Sequence, residues 1–167
     1  MSAATPQESA IALVSGLVGM WEGEGKGGFP TLEPFRYREE LRFTRHAESP
    51  ILQFIQQTWR FTPDGEVPSH WETGYLRVDP DGSIVLFDTQ ESGRKEILRG
   101  TVTQTGKAAW EVALKSESIV GDNRMVSSSR TLRLNGTTLD YEMSMATDRV
   151  SPEQLHLQAR LRRRQEG

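Results

Sequence analysis

Three histidines, His46, His70 and His156, are the side chains of this chain best suited to moving protons or ligating a metal near neutral pH. They are far apart in sequence, and none stands in an H-x-x-x-H or H-E-x-x-H spacing, so a zinc centre is not encoded. There is no cysteine, which removes disulfides, thiolate metal sites and a cysteine nucleophile together. No serine occupies a G-x-S-x-G elbow. The adjacent acids Glu39 and Glu40 fall on opposite faces of a strand and cannot act as two close carboxylates. Tyr75, in the run His70-Trp71-Glu72-Thr73-Gly74-Tyr75, could hydrogen-bond a ligand, although a phenol in a strand more often completes a core. Two pairs, Arg77 with Tyr75 and Arg130 with Tyr141, share strand parity and could clamp the carboxylate of an apolar ligand such as a fatty acid. The residues by themselves encode no hydrolytic or transfer chemistry. They suit a protein that holds a ligand.

The elements that must do the holding read almost wholly as strands. In Gly19–Phe43, Gly19, Trp21, Gly23, Gly25 and Gly27 recur at every second position, so in a strand they share one side. One indole followed by bare backbone makes either a wall that something bulky can approach or a bend at a barrel corner. The G-x-G-x-x-G at Gly23–Gly28 is followed by Pro30 and a second strand pattern rather than a helix, which excludes dinucleotide binding. Before this stretch lies one predicted helix, residues 5–18. Thr5 with Glu8 makes a capping box, Pro6 takes the first helical position, and the apolar stripe suits a plug over one end of a barrel. After it, short alternating runs are separated by turn chemistry such as Thr62-Pro63-Asp64-Gly65, Asp79-Pro80-Asp81-Gly82, Thr105-Gly106 and Asn135-Gly136. The predicted fold is all-β: about ten strands in an antiparallel up-and-down barrel with a short N-terminal helix, one domain spanning 1–167.

The last strand poses the sharpest question. Leu155, Leu157, Ala159 and Leu161 take one face, and His156, Gln158, Arg160 and Arg162 the other. Simple alternation therefore puts His156 outside, unless a wide interior takes that face or a bulge re-aims the ring. Arg162-Arg163-Arg164 reads as a solvated basic tail. With a net charge of −3, the chain carries no nucleic-acid footprint. No apolar run approaches a membrane span and no secretory leader is evident, so the expectation is a soluble cytoplasmic protein, monomer or homodimer.

Taken in order, G-x-W-x-G-x-G at Gly19–Gly25, FPTLEPFRYREELRF, QQTW at Gln56–Trp59, ETGYLR at Glu72–Arg77 and HLQARLRR at His156–Arg163 resemble the nitrobindin family over nearly the whole chain. That resemblance implies a ten-stranded barrel holding ferric haem b at its mouth, one haem per subunit, binding nitric oxide and isomerising peroxynitrite to nitrate. It implies that His156 matches the proximal iron ligand and His70 the distal histidine. Pro30, Thr31 and Phe35 would be wall residues. Where many bacterial relatives carry a lysine, this chain has Asn123-Arg124, so the resemblance implies that a contact to a haem propionate would fall to Arg124 or be absent. The family's Tyr-Pro-Thr is Phe29-Pro30-Thr31, which loses a hydroxyl.

Overall fold

The computed structural model describes Ala3–Gln165. The capping box forms as the sequence predicts: the Thr5 side chain accepts from the Glu8 amide, and the Glu8 carboxylate accepts from the Thr5 amide. The helix it starts, α1 (Pro6–Val14), is shorter than 5–18, because the chain tightens into a 3-10 turn over Ser15–Leu17 before the first strand. Ten antiparallel strands follow: β1 (Gly19–Phe29), β2 (Leu32–Arg45), β3 (Ile51–Thr62), β4 (Gly65–Val78), β5 (Ile84–Gln90), β6 (Lys95–Gly106), β7 (Ala109–Val120), β8 (Met125–Asn135), β9 (Thr138–Thr147) and β10 (Gln154–Arg163). Each pairs with its neighbours in sequence, and β10 pairs with β1 to close the barrel. Closure removes the free edges that an open sheet would expose.

Several strands run further than side-chain alternation suggests. β4 begins at Gly65 and β7 continues to Val120, since main-chain pairing persists where the outward residues lose their pattern. For the same reason Gly106 still belongs to β6, and its hairpin turns one step later, at Lys107-Ala108.

The core lies inside the barrel and under α1. Ala10, Val14 and Leu17 pack with Trp21, Leu52, Val78, Ile84, Leu98, Val112 and Leu139, so the helix plugs one end. Gln7 donates to the Val78 carbonyl at 2.8 Å, and the Trp21 indole donates to the Leu17 carbonyl at 2.7 Å, which tie the plug to the wall. Arg163 corrects the expectation of a solvated tail. Its guanidinium lies 4.3 Å from the Trp21 ring and donates to the carbonyls of Gly16 and Val18, because β10 carries its side chain inward beside the open end of the 3-10 turn.

The alternate glycines of β1 share one side, as alternation requires, and at Gly25 and Gly27 the neighbours on that side are this chain's own rings. A Cβ on Gly25 would lie 2.3 Å from Tyr37 Cζ, and one on Gly27 would lie 2.3 Å from Phe35 Cζ. On Gly23 it would meet the Arg160 carbonyl oxygen at 2.2 Å. The bare positions thus let β2 aromatics lie flat over β1 and let β10 approach closely.

Candidate functional site

At the end away from α1, the barrel contains a cavity of about 350 Å³. Its apolar wall includes Leu32, Phe35, Leu132 and Leu157, and its polar wall includes Tyr37, Gln56, His70, Glu72, Arg130 and Tyr141. His156 and His70, separated by 85 residues of chain, line this one cavity. His46 does not; its Nδ1 accepts from the amides of Glu48 and Ser49 in the exposed β2–β3 turn.

His156 reaches the interior through a break in register. Leu155 pairs with Ser144 but Leu157 pairs with Met143, so His156 is the extra residue of a bulge in β10. The ring turns inward beside Leu157, while Leu155, assigned by alternation to the apolar face, is left exposed. Nδ1 lies 3.0 Å from the Gly28 carbonyl of β1. A carbonyl only accepts, so Nδ1 carries the proton, and Nε2 keeps a lone pair that has no hydrogen-bond partner among the described residues. Phe29 meets the imidazole edge-on at 5.7 Å, and Phe35 at 6.4 Å. Burial, together with the charges of Arg94 and His70, holds the His156 pKa below the ordinary imidazole value despite the bond to Gly28. The result is a neutral ring, fixed in one tautomer, with one nitrogen free.

His70 is held differently. Its Nε2 lies 3.1 Å from Glu72 Oε2 and its Nδ1 3.4 Å from Glu91 Oε2. Burial alone would lower its pKa, but the hydrogen bond and charge of Glu72, with the charge of Glu91, outweigh that and raise it. Both ring nitrogens are directed at carboxylates, an arrangement that favours the protonated form of the ring.

Behind His70 lies a network of buried acids that the sequence reading passed over. Arg130 bonds to Glu72 and, at 2.7 Å, to Asp88, with Glu96 at 3.5 Å. Burial opposes ionisation of Glu72, yet the Arg130 charge and the His70 hydrogen bond hold its carboxyl well below the usual range. Burial and the Glu72 charge push Asp88 up to about 7. On the facing wall, Glu39 is fully buried, and burial pushes it up to about 8 even though Gln56 donates to it at 2.7 Å. Tyr37 and Tyr141 meet hydroxyl to hydroxyl at 2.9 Å, and burial raises both phenols. A signal for Glu39 was present. It shares parity with Phe35, Tyr37, Leu41 and Phe43, so an inward row of β2 carries one acid.

The remaining expected site residues separate. Phe35 lines the cavity; Pro30 and Thr31 form the exposed two-residue turn joining β1 to β2 and project past the lining. Arg124 reaches the cavity rim, where Asp122 accepts from its Nε and Nη2, both at 3.0 Å, and its side chain is 77% exposed. Of the two proposed carboxylate clamps, Tyr75 is exposed on the outer wall, and Arg77 pairs with Asp79. Arg130 is already neutralised by its acids. Neither pair is arranged to hold a fatty acid's carboxylate.

A planar, largely apolar metal complex with an open coordination position fits these features: a neutral imidazole with a free, oriented nitrogen, flanked edge-on by two rings beside the apolar wall of the cavity. Comparison with known proteins agrees. Residues 10–163 match the model of the THAP4-like, heme-binding beta-barrel domain. A Mycobacterium marinum protein named peroxynitrite isomerase 2 is 39% identical over 150 residues, covering 89% of this chain and 91% of that protein. One from Mycobacterium tuberculosis, peroxynitrite isomerase 1, is 37% identical over 159 residues, covering 92% and 94%. The crystal structure of Rv2717c from M. tuberculosis superposes with a TM-score of 0.82 at 37% identity, over 93% of this chain and 98% of that one. The family match spans all ten strands of the barrel, and the chain belongs to the THAP4-like, haem-binding β-barrel family, the nitrobindins.

Proposed function

We propose that this protein binds one haem b through Nε2 of His156, with iron resting in the ferric state, and isomerises peroxynitrite to nitrate; nitric oxide would be a second small ligand. The observation that carries the reading is the β10 bulge, which turns His156 inward, ties Nδ1 to the Gly28 carbonyl and leaves Nε2 free. The peroxynitrite isomerase names of the relatives support the reaction.

Bound haem would supply a Lewis-acidic metal at which the O–O bond of peroxynitrite can rearrange. The chain's own residues have simpler tasks. Gly28 fixes the tautomer of His156 and strengthens it as a donor. Phe29 and Phe35 keep the imidazole from swinging. Leu32, Leu132 and Leu157 shield the mouth from water. His70, whose carboxylate neighbours favour its protonated form, contributes polarity at the polar wall of the cavity. Isomerisation requires no net proton transfer, so a histidine with both nitrogens engaged is no handicap.

The reaction is tested by mixing peroxynitrite with the hemin-loaded protein in a stopped-flow instrument and measuring nitrate and nitrite. The expected result is faster decay with a raised nitrate yield that disappears when hemin is left out. Decay at the protein-free rate would refute the isomerase reading.

A further inference from the structure

Four arginines line the cavity: Arg60, Arg94, Arg124 and Arg130. Three of them face carboxylates. Arg130 is surrounded by Glu72, Asp88 and Glu96. Arg94 Nε lies 3.1 Å from Glu96 Oε1, an ion pair whose angle falls short of a hydrogen bond, and its Nη1 lies 3.9 Å from Asp122. Arg124 is forked onto Asp122.

Arg60 is the exception. It continues the inward row of β3 that contains Leu52, Phe54, Gln56 and Thr58, and it ends that row at the cavity mouth. Its guanidinium lies 4.1 Å from the centre of the Phe35 ring, which accounts for its orientation but satisfies none of its five N–H donors. Among the described residues it has no hydrogen-bond or ion-pair partner. The same Phe35 ring also meets His156 edge-on at 6.4 Å, so the unpaired cation and the imidazole share one aromatic neighbour in the lining of the cavity.

We infer that Arg60 is the carboxylate-recognition residue of this cavity and takes a propionate of the bound haem. The inference rests on the haem reading above and assigns to Arg60 the contact that sequence similarity would place at Arg124. A planar guanidinium binds carboxylate in a two-pronged geometry, and the half-buried setting, stacked on an aromatic ring, strengthens the pairing relative to open solvent. Arg124 would have to break its fork with Asp122 to do the same.

The test compares dissociation constants, by Soret titration, of hemin and hemin dimethyl ester for wild type, Arg60→Leu, Arg60→Lys and Arg124→Leu. The ester keeps the iron and the macrocycle but loses both negative charges. Arg60→Leu is expected to weaken hemin by about 10- to 100-fold, the range of a charge-assisted hydrogen bond. The ester should be affected less than about threefold. Arg60→Lys should recover part of the loss, since it restores charge without the fork. Equal losses for hemin and ester would show that Arg60 only packs against Phe35 and would overturn the inference. So would an unchanged hemin affinity in Arg60→Leu, or a hemin-selective loss in Arg124→Leu alone. Wild type that binds neither hemin nor ester would instead remove the haem reading and this inference with it.

Discussion

A histidine that is to hold a metal must be neutral, must present one lone pair and must not swing. His156 meets the first condition through burial and the nearby positive charges, the second through the Gly28 carbonyl, and the third through the flanking rings. The lowered pKa sets a pH dependence with a definite sign. In the unfolded chain an imidazole protonates near pH about 6.5; in the folded barrel it does so only at a lower pH. The folded state therefore binds fewer protons here, and the contribution of His156 to stability is lost as pH falls from about 6.5 through the lower folded value. Haem affinity should accordingly be flat above pH 7 and decline only below about 6.5. A pH series of hemin titrations checks this, and a midpoint above neutrality would contradict the neutral-ligand assignment. His70 leads to a different expectation. General acid–base assistance is typically worth about 10²–10⁴-fold, but a ring whose two nitrogens point at Glu72 and Glu91 is poorly placed to give or take a proton. His70→Ala should leave hemin affinity nearly intact and slow peroxynitrite decay by less than about a hundredfold. A loss of several hundredfold with hemin fully retained would make His70 a catalytic acid or base.

At the scale of elements, most of the barrel can be read from the chain. Asn135-Gly136 marks a hairpin, Thr5 and Glu8 mark a helix start, and the alternation of β2 shows which side is wet. What alternation could not show is the position of a bulge. One extra residue in β10 exchanges the faces of Leu155 and His156, and it depends on how β9 and β10 register against each other. Nothing local to Leu155-His156-Leu157 announces it; family resemblance alone pointed His156 inward. The glycine row of β1 was readable as bare backbone, but its occupants were not, because they come from the paired strand. Gly25 sits under the Tyr37 ring, so Gly25→Val forces that ring aside. Overpacking of this kind costs about 1–3 kcal/mol, and urea denaturation of the apoprotein should show a loss in that range. An unchanged midpoint would mean that Tyr37 moves freely and that the glycine is only a bend.

For the molecule as a whole, the interior is an unusual mixture. A barrel plugged by α1 and closed around apolar side chains also buries Glu39, Glu72, Asp88 and Glu96. Glu39 stands singly in an inward row between Tyr37 and Leu41, whereas Glu72 and Asp88 share their rows with His70 and Gln90, and only the closed barrel brings these acids together around Arg130. Their effect on stability follows from their direction of shift. Glu39 titrates at about 8 in the folded state and near about 4.3 when unfolded. The folded state therefore binds more protons across that window, and stability falls as pH rises through it. Glu39→Gln removes the ionisation while keeping an acceptor for Gln56, so thermal unfolding of this variant should lose less stability than wild type between pH 5 and 8. A parallel slope would show that Glu39 is not the group responsible. The same fold that buries these acids presents His156 Nε2 at its mouth, and the most direct trial of that arrangement is a hemin titration of wild type beside His156→Ala. Wild type should develop a Soret band that saturates at one equivalent. His156→Ala, whose change lies at the rim of a strand, should keep the far-UV spectrum of the barrel and lose the stoichiometric band. An alanine variant with the wild-type Soret spectrum and affinity would contradict His156 as the iron ligand.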